Sequence, residues 1–211
     1  QRARMLTDRL YSFSQTNSPF IDYHLISQLL DDACHFILHG NKIQWQLKTL
    51  DDEWACHADE GQLTQVFNNL LINASQAITD HGEIKISVFN RRMIWNPALG
   101  MPNGYYTEVM ISDNGCGIPP QYIPKLFEPY FTTKPKGDGL GLASCYSIIK
   151  SHHGHIEVDS TEGIGTTFKI YLPADPKHKI ASKKPEKEKI IKGTGKILVL
   201  DDEELVQAIA C

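Results

Sequence analysis

NNLLINASQAI, residues 68–78, lies within a longer run in which Leu63, Val66, Phe67, Leu70, Leu71, Ala74 and Ile78 recur at helical spacing. The run opens on Asp59 with Gln62 three residues later. That is a variant of the capping box, in which two side chains one turn apart satisfy free N–H groups at a helix start. The pattern predicts one long helix, closed by His81 and Gly82. Asn69 and Asn73 stand four residues apart at the edge of the apolar stripe, so their amides share a face. An amide oxygen is a neutral, hard donor suited to Mg²⁺, which keeps several waters and shares phosphate oxygens. Taken alone, the pair also reads as solvated surface amides.

Working outward, Ile84, Ile86 and Val88 alternate, as do Val109 and Ile111, predicting two strands. The segment 91–105 between them, with Pro97, Gly100, Pro102 and Gly104, reads as an exposed loop. Upstream, a Ser/Asn/Pro turn at 16–19 precedes an amphipathic stripe of Leu25, Ile26, Leu29, Leu30, Ala33 and Ile37 that ends near Gly40. Ile43, Trp45 and Leu47 then alternate as a strand. A helix from about 140 carries Leu142, Tyr146 and Ile149 and ends at Gly154. Strands at 155–159 and 166–172 close the domain as a hairpin, with Pro173 stopping the second. The order αβαββ, a short helical region, then αββ predicts an α+β fold. Its form is a two-layer α/β sandwich, a mixed sheet with helices on one face.

Three further patterns carry chemistry. Asp113-Asn114-Gly115-Cys116-Gly117-Ile118 follows a strand directly; its alternate glycines let backbone approach a planar ligand, and a strand-end carboxylate can accept a hydrogen bond from an exocyclic amine. A plain Asn-Gly turn is the other reading. Gly137-Asp138-Gly139-Leu140-Gly141-Leu142 opens a helix whose free N–H groups suit phosphate. It is neither a Walker loop nor a dinucleotide fingerprint, lacking Gly-Lys-Ser/Thr and the full glycine spacing. Between the two, Phe127-Glu128-Pro129-Tyr130-Phe131-Thr132-Thr133-Lys134 is rich in aromatics and leads into cationic Lys134 and Lys136. It reads both as a hinged flap and as a hydrophobic loop anchor.

In this order, the patterns resemble the ATP-binding domain of sensor histidine kinases over roughly residues 20–174. NNLLINASQAI is similar to the family's N box, DNGCGI to its first glycine box and LFEPYFTTK to its F box. GDGLGLASCYSIIKSHHG resembles the second glycine box with its helix, and GIGTTFKIYLP the closing motif. The resemblance implies that Asn73 holds the Mg²⁺ bridging the phosphates, with Asn69 beside it. It implies that Asp113 reads the adenine amine with Thr166 nearby, while Gly115 and Gly117 admit the ring ahead of Ile118. Residues 128–138 would form a short ATP lid. Gly137, Gly139, Leu140, Gly141 and Leu142 would lie at the phosphate end, and Lys134 would pair with phosphate oxygens. ATP-hydrolysing relatives of the same fold place a glutamate base four residues before the magnesium asparagine. Here that position is Asn69, which cannot take a proton, so phosphoryl transfer to a side chain is expected instead. A non-catalytic nucleotide-binding or partner module is the remaining alternative.

The acceptor in that family is a histidine on a helical hairpin that also dimerises the protein. None of the nine histidines here has its acidic-then-proline context. Residues 1–18, with Leu6, Leu10 and Phe13 at helical spacing, resemble the end of that hairpin's second helix, so the acceptor is expected upstream and this chain alone is not expected to autophosphorylate. The expected organisation continues with the catalytic domain at 19–175, a lysine-rich linker at 176–195 and, from 196, KILVLDDEE. That last stretch resembles the first strand of a response-regulator receiver domain, whose acidic pair would be Asp201 and Asp202. The parent would be a hybrid kinase relaying phosphate to a receiver in cis or to a separate response regulator.

Composition sets the outer limits. Residues 1–175 hold 13 Lys and Arg against 19 Asp and Glu, a poor host for nucleic acid, whereas residues 176–196 hold eight Lys and two Glu. That run reads as a solvated linker or a polyanion contact. No apolar stretch is long enough for a membrane span, and five cysteines without CxxC spacing argue against a zinc site or disulfide framework and fit a reducing cytoplasm.

Overall fold

The computed structural model describes residues 20–40, 43–79, 81–94, 101–134 and 137–180. The segment 2–14 that was expected to be helical, most of the lysine-rich linker and the receiver-like stretch from 196 lie outside the described residues. The elements in chain order are β1 (Ile21–His24), α1 (Ile26–Leu38), β2 (Gln44–Lys48), β3 (Ala55–Asp59), α2 (Glu60–Ala77), β4 (Glu83–Met93) and β5 (Gly104–Asp113). A 3-10 turn (Pro120–Lys125), α3 (Gly141–Ser151), β6 (His155–Thr161) and β7 (Gly165–Asp175) follow.

One sheet runs β1-β3-β7-β5-β4-β2, with β6 on the flank of β7. β2 lies parallel to β4 and the other pairings are antiparallel, so the sheet is mixed as expected. The alternation that predicted strands also sets their inward face: Ile84, Ile86 and Val88 of β4, Val109 and Ile111 of β5, and Phe168, Ile170 and Leu172 of β7 enter one core. The apolar stripes of all three helices close it from one side: Leu29, Leu30 and Ala33 of α1, Leu63, Phe67 and Leu70 of α2, and Cys145 and Ile149 of α3.

Two strands escaped the sequence. β3, Ala-Cys-His-Ala-Asp, buries small side chains and shows no large apolar alternation, and β1 is a four-residue edge strand paired to it. The loop expected at 91–105 is shorter, because β4 and β5 stay in register out to Met93↔Gly104. Met93, Met101, Tyr106 and Tyr171 form a small apolar cluster that supports this extension. Pro173 does not stop β7. On one side β7 pairs with β6 up to Tyr171 and with β3 from Ala174, so the proline falls in the gap between partners, where a missing N–H breaks no ladder.

α2 also ends earlier than expected, at Ala77 and not at His81-Gly82. Its terminal Ala77 carbonyl accepts from Cys116 N at 3.0 Å, so the loop after β5 closes the helix. At its start, half of the capping box forms. Asp59 Oδ1 accepts from Gln62 N at 2.9 Å, but the Asp59 N–H donates to His152 Nε2 at 3.0 Å and not back to Gln62. At the end of α3 the left-handed position is taken by His153, φ 57°, while Gly154 is needed for a different reason: a Cβ there would lie 2.6 Å from the Tyr171 carbonyl oxygen.

Candidate functional site

A cavity of about 1120 Å³ opens between α2, the end of β5, residues 116–134 and 137–142, and the start of β7. α2 contributes Asn69 and Asn73, which the helical repeat places on one face. Asn69 Nδ2 donates to the Gly141 carbonyl at 3.5 Å, tying α2 to the start of α3. Asn73 Oδ1 instead accepts from Lys134 Nζ at 2.8 Å, and the same ammonium donates to Gln76 Oε1 at 2.6 Å.

Asp113 and Thr166 are direct cross-strand partners in the β5–β7 ladder, so the register alone brings them to the same wall. Asp113 Oδ1 accepts from Gly115 N at 2.9 Å. Burial pushes the Asp113 carboxyl above the usual aspartate range, and bonds from Gly115 and Thr166 pull it part of the way back. Thr166 is buried, with its hydroxyl 3.0 Å from Ser160 Oγ, and that serine accepts from Ile118 N at 2.9 Å.

The two loop glycines have a structural cause invisible in the sequence. A Cβ on Gly115 would meet the Ala77 carbonyl oxygen at 2.6 Å, and one on Gly117, whose φ is +66°, would collide with the Thr161 carbonyl oxygen. Their missing side chains are required by the chain's own backbone, and Gly115 does not line the cavity.

Residues 129–134 and 137–140 line another wall of the cavity. Phe127 packs against the core with its ring 5.4 Å from that of Tyr146, which is the anchoring role the aromatic run allowed. Phe131 lines the cavity with Tyr122, ring centroids 5.7 Å apart. Tyr130 N donates to the Gly139 carbonyl at 3.0 Å and Leu140 N to Asp138 Oδ1 at 3.2 Å, closing the segment onto the start of α3. Lys134 lines the cavity and remains exposed, and partial desolvation moves its ammonium below the usual lysine range.

Among the described residues no cluster of His, Cys, Asp or Glu is built to hold a metal by itself. Asn73 Oδ1 already faces a cation, the Lys134 ammonium. A single neutral oxygen of this kind suits an ion such as Mg²⁺ that arrives with phosphate and water as its other ligands.

A family model described as histidine kinase-, DNA gyrase B-, and HSP90-like ATPase matches residues 58–176, which span the cavity and the strands behind it. The chain belongs to that ATPase family. Within the family it is similar to sensor kinases. It is 35% identical to sensor kinase CckA of Brucella abortus (strain 2308) over 98% of this chain and 23% of that protein. It is 36% identical to sensor histidine kinase ZraS of Escherichia coli (strain K12) over 65% of this chain and 27% of that one. The chain thus spans about a quarter of the length of these relatives. The solved catalytic domain of histidine kinase ThkA, in a nucleotide-free form, superposes with a TM-score of 0.61 at 28% identity. That match covers 74% of this chain and 97% of that one.

For a member of this family, the structure gathers nearly every residue singled out from the sequence around one cleft. Asn69, Asn73, Asp113, Gly117, Ile118, Lys134, Gly137, residues 139–142 and Thr166 all line it, and Gly115 stands behind it. Sequence reasoning missed Gln76, Tyr122 and Phe168, which also line the cavity. Gln76 continues the spacing of Asn69 and Asn73 by three residues, so the helical repeat carried a signal for it. Tyr122, in a 3-10 turn without apolar periodicity, carried none.

Proposed function

We propose that this chain is the Mg-ATP-binding catalytic domain of a two-component sensor histidine kinase. It would deliver the γ-phosphate of ATP to a histidine on a separate helical hairpin, for relay to a receiver aspartate. The observation that carries this reading is the meeting of Asp113, Thr166 and Asn73 on one cleft: a strand-end carboxylate and a helix-borne amide oxygen face a common space.

In this reading Asp113 accepts a hydrogen bond from the adenine amine, and the Thr166 hydroxyl, held by Ser160 Oγ at 3.0 Å, completes the polar wall beside it. Asn73 supplies one oxygen to magnesium. When bound, the ion would supply charge neutralisation at the phosphates. Lys134 and the backbone N–H groups at the start of α3 face the phosphate end. Asn69 positions α3 through Gly141 and has no basic lone pair with which to activate water. Transfer to a positioned acceptor is therefore favoured over hydrolysis, and the protein's contribution is alignment and charge neutralisation. The hairpin of the same protein, dimerised in the full-length form, is the proposed partner, with a receiver in cis or a separate response regulator beyond it. ATP as substrate puts the domain in the cytoplasm.

Titration of the chain with ATP, with and without Mg²⁺, tests the site. Asp113→Asn is expected to weaken binding at least tenfold by removing an acceptor matched to the amine, and Asn73→Asp to change the metal dependence. Binding of Mg-ATP by both variants as tightly as by the parent would refute the assignment. Joining the chain to a hairpin that bears the acceptor is expected to give acid-labile phosphohistidine; steady phosphate release without acceptor would favour an ATPase.

A further inference from the structure

Gln76 has no role in anything stated so far, yet it makes one of the shortest side-chain contacts in the cavity. The Lys134 ammonium bridges Asn73 Oδ1 at 2.8 Å and Gln76 Oε1 at 2.6 Å, across 61 and 58 residues of sequence. Asn73 and Gln76 lie three residues apart on α2, so one helix face offers two amide oxygens to one cation. Both contacts are charge-assisted, and an ammonium has three N–H groups, which leaves one for a third partner.

The arrangement contains a competition. The oxygen that the proposed function gives to magnesium is the oxygen on which Lys134 rests. Two cations cannot share it at hydrogen-bond distance without strong repulsion. When the metal takes Asn73, Lys134 must leave that oxygen. Gln76, exposed and one turn nearer the end of α2, is the partner that remains.

We propose that Gln76 is the positioning residue for the lid lysine: with Asn73 it pins Lys134 to α2 in the nucleotide-free chain, and when Asn73 turns to the metal it alone keeps the ammonium at the phosphate end of the cavity. This rests on the nucleotide reading above. Gln76 touches neither substrate nor metal in this scheme and acts through Lys134.

The test joins amide hydrogen exchange across residues 130–140 of the nucleotide-free chain to titration with a non-hydrolysable ATP analogue plus Mg²⁺. Gln76→Met and Lys134→Met are each expected to speed exchange in the lid several-fold, and the double variant no further. Gln76→Met should weaken the analogue about tenfold, the scale of one lost charge-assisted bond, and should have no effect in the Lys134→Met background. Gln76→Glu separates positioning from packing. A carboxylate holds the ammonium more tightly, so exchange slows, while its charge repels phosphate, so the analogue weakens. Unchanged lid exchange in Gln76→Met overturns the proposal, and so does an equal loss of affinity with and without Lys134. A parent chain that does not bind the analogue at all overturns the nucleotide reading, and the exchange arm, run without nucleotide, still judges the lid contact on its own.

Discussion

Asp113 is held with its carboxyl above the ordinary aspartate range because burial disfavours its charge, and the Gly115 N–H recovers only part of that loss. The unfolded chain titrates the same group near about 3.9. Below that value both states keep the proton and burial of the carboxyl is harmless. As pH rises through it, the unfolded chain ionises first, and stability falls until the folded carboxyl has ionised too. Asp113→Asn should therefore match the parent in thermal melts near pH ~3 and exceed it at neutral pH. A gap that narrows with rising pH would contradict this cause. His153, exposed at φ 57°, is a second site of local cost. His153→Gly is expected to add about 0.5–1 kcal/mol in urea unfolding, the left-handed penalty less glycine's entropy. The residues that line the cleft were legible because amide, carboxylate and glycine types recur at fixed spacings. The reasons for Gly115 and Gly117 were not, since Ala77 and Thr161, which crowd them, are remote in sequence.

α1 and α2 were the most readable elements, because each shows a sustained 3.6-residue stripe that matches the core; in α3 the stripe is shifted, with Tyr146 exposed and Cys145 buried in its place. Their ends were less so. α2 stops where a distant loop supplies Cys116 N, and it starts where Asp59 is engaged three times over. Asp59 Oδ1 accepts from Gln62 N, Oδ2 accepts from Phe20 N at 3.0 Å, and its own N–H meets His152. Asp59→Ala removes the first two and should cost about 1–2 kcal/mol in chemical denaturation, the upper range for a lost N-cap. A change below ~0.3 kcal/mol would show that water replaces the carboxylate at no loss. The short strands β1 and β3 were unreadable for a different reason: their pairing partners, and not their own side chains, make them strands.

Across the described residues, the main core joins α1, α2 and α3 to the sheet, and Phe67 lies in it with no exposed surface. Phe67→Ala is expected to cost about 3–5 kcal/mol, read as a lower denaturant midpoint with an unchanged slope. Among the described residues no helix is long and apolar enough to cross a membrane. The sheet's connectivity has a mechanical corollary. β1 lies along β3, β3 runs without a break into α2, and among the described residues the ladder joining this two-strand wing to β7 consists of Ala55↔Asp175 and Cys56↔Ala174. Because β3 passes straight into α2, the backbone itself couples the wing to the first turn of that helix.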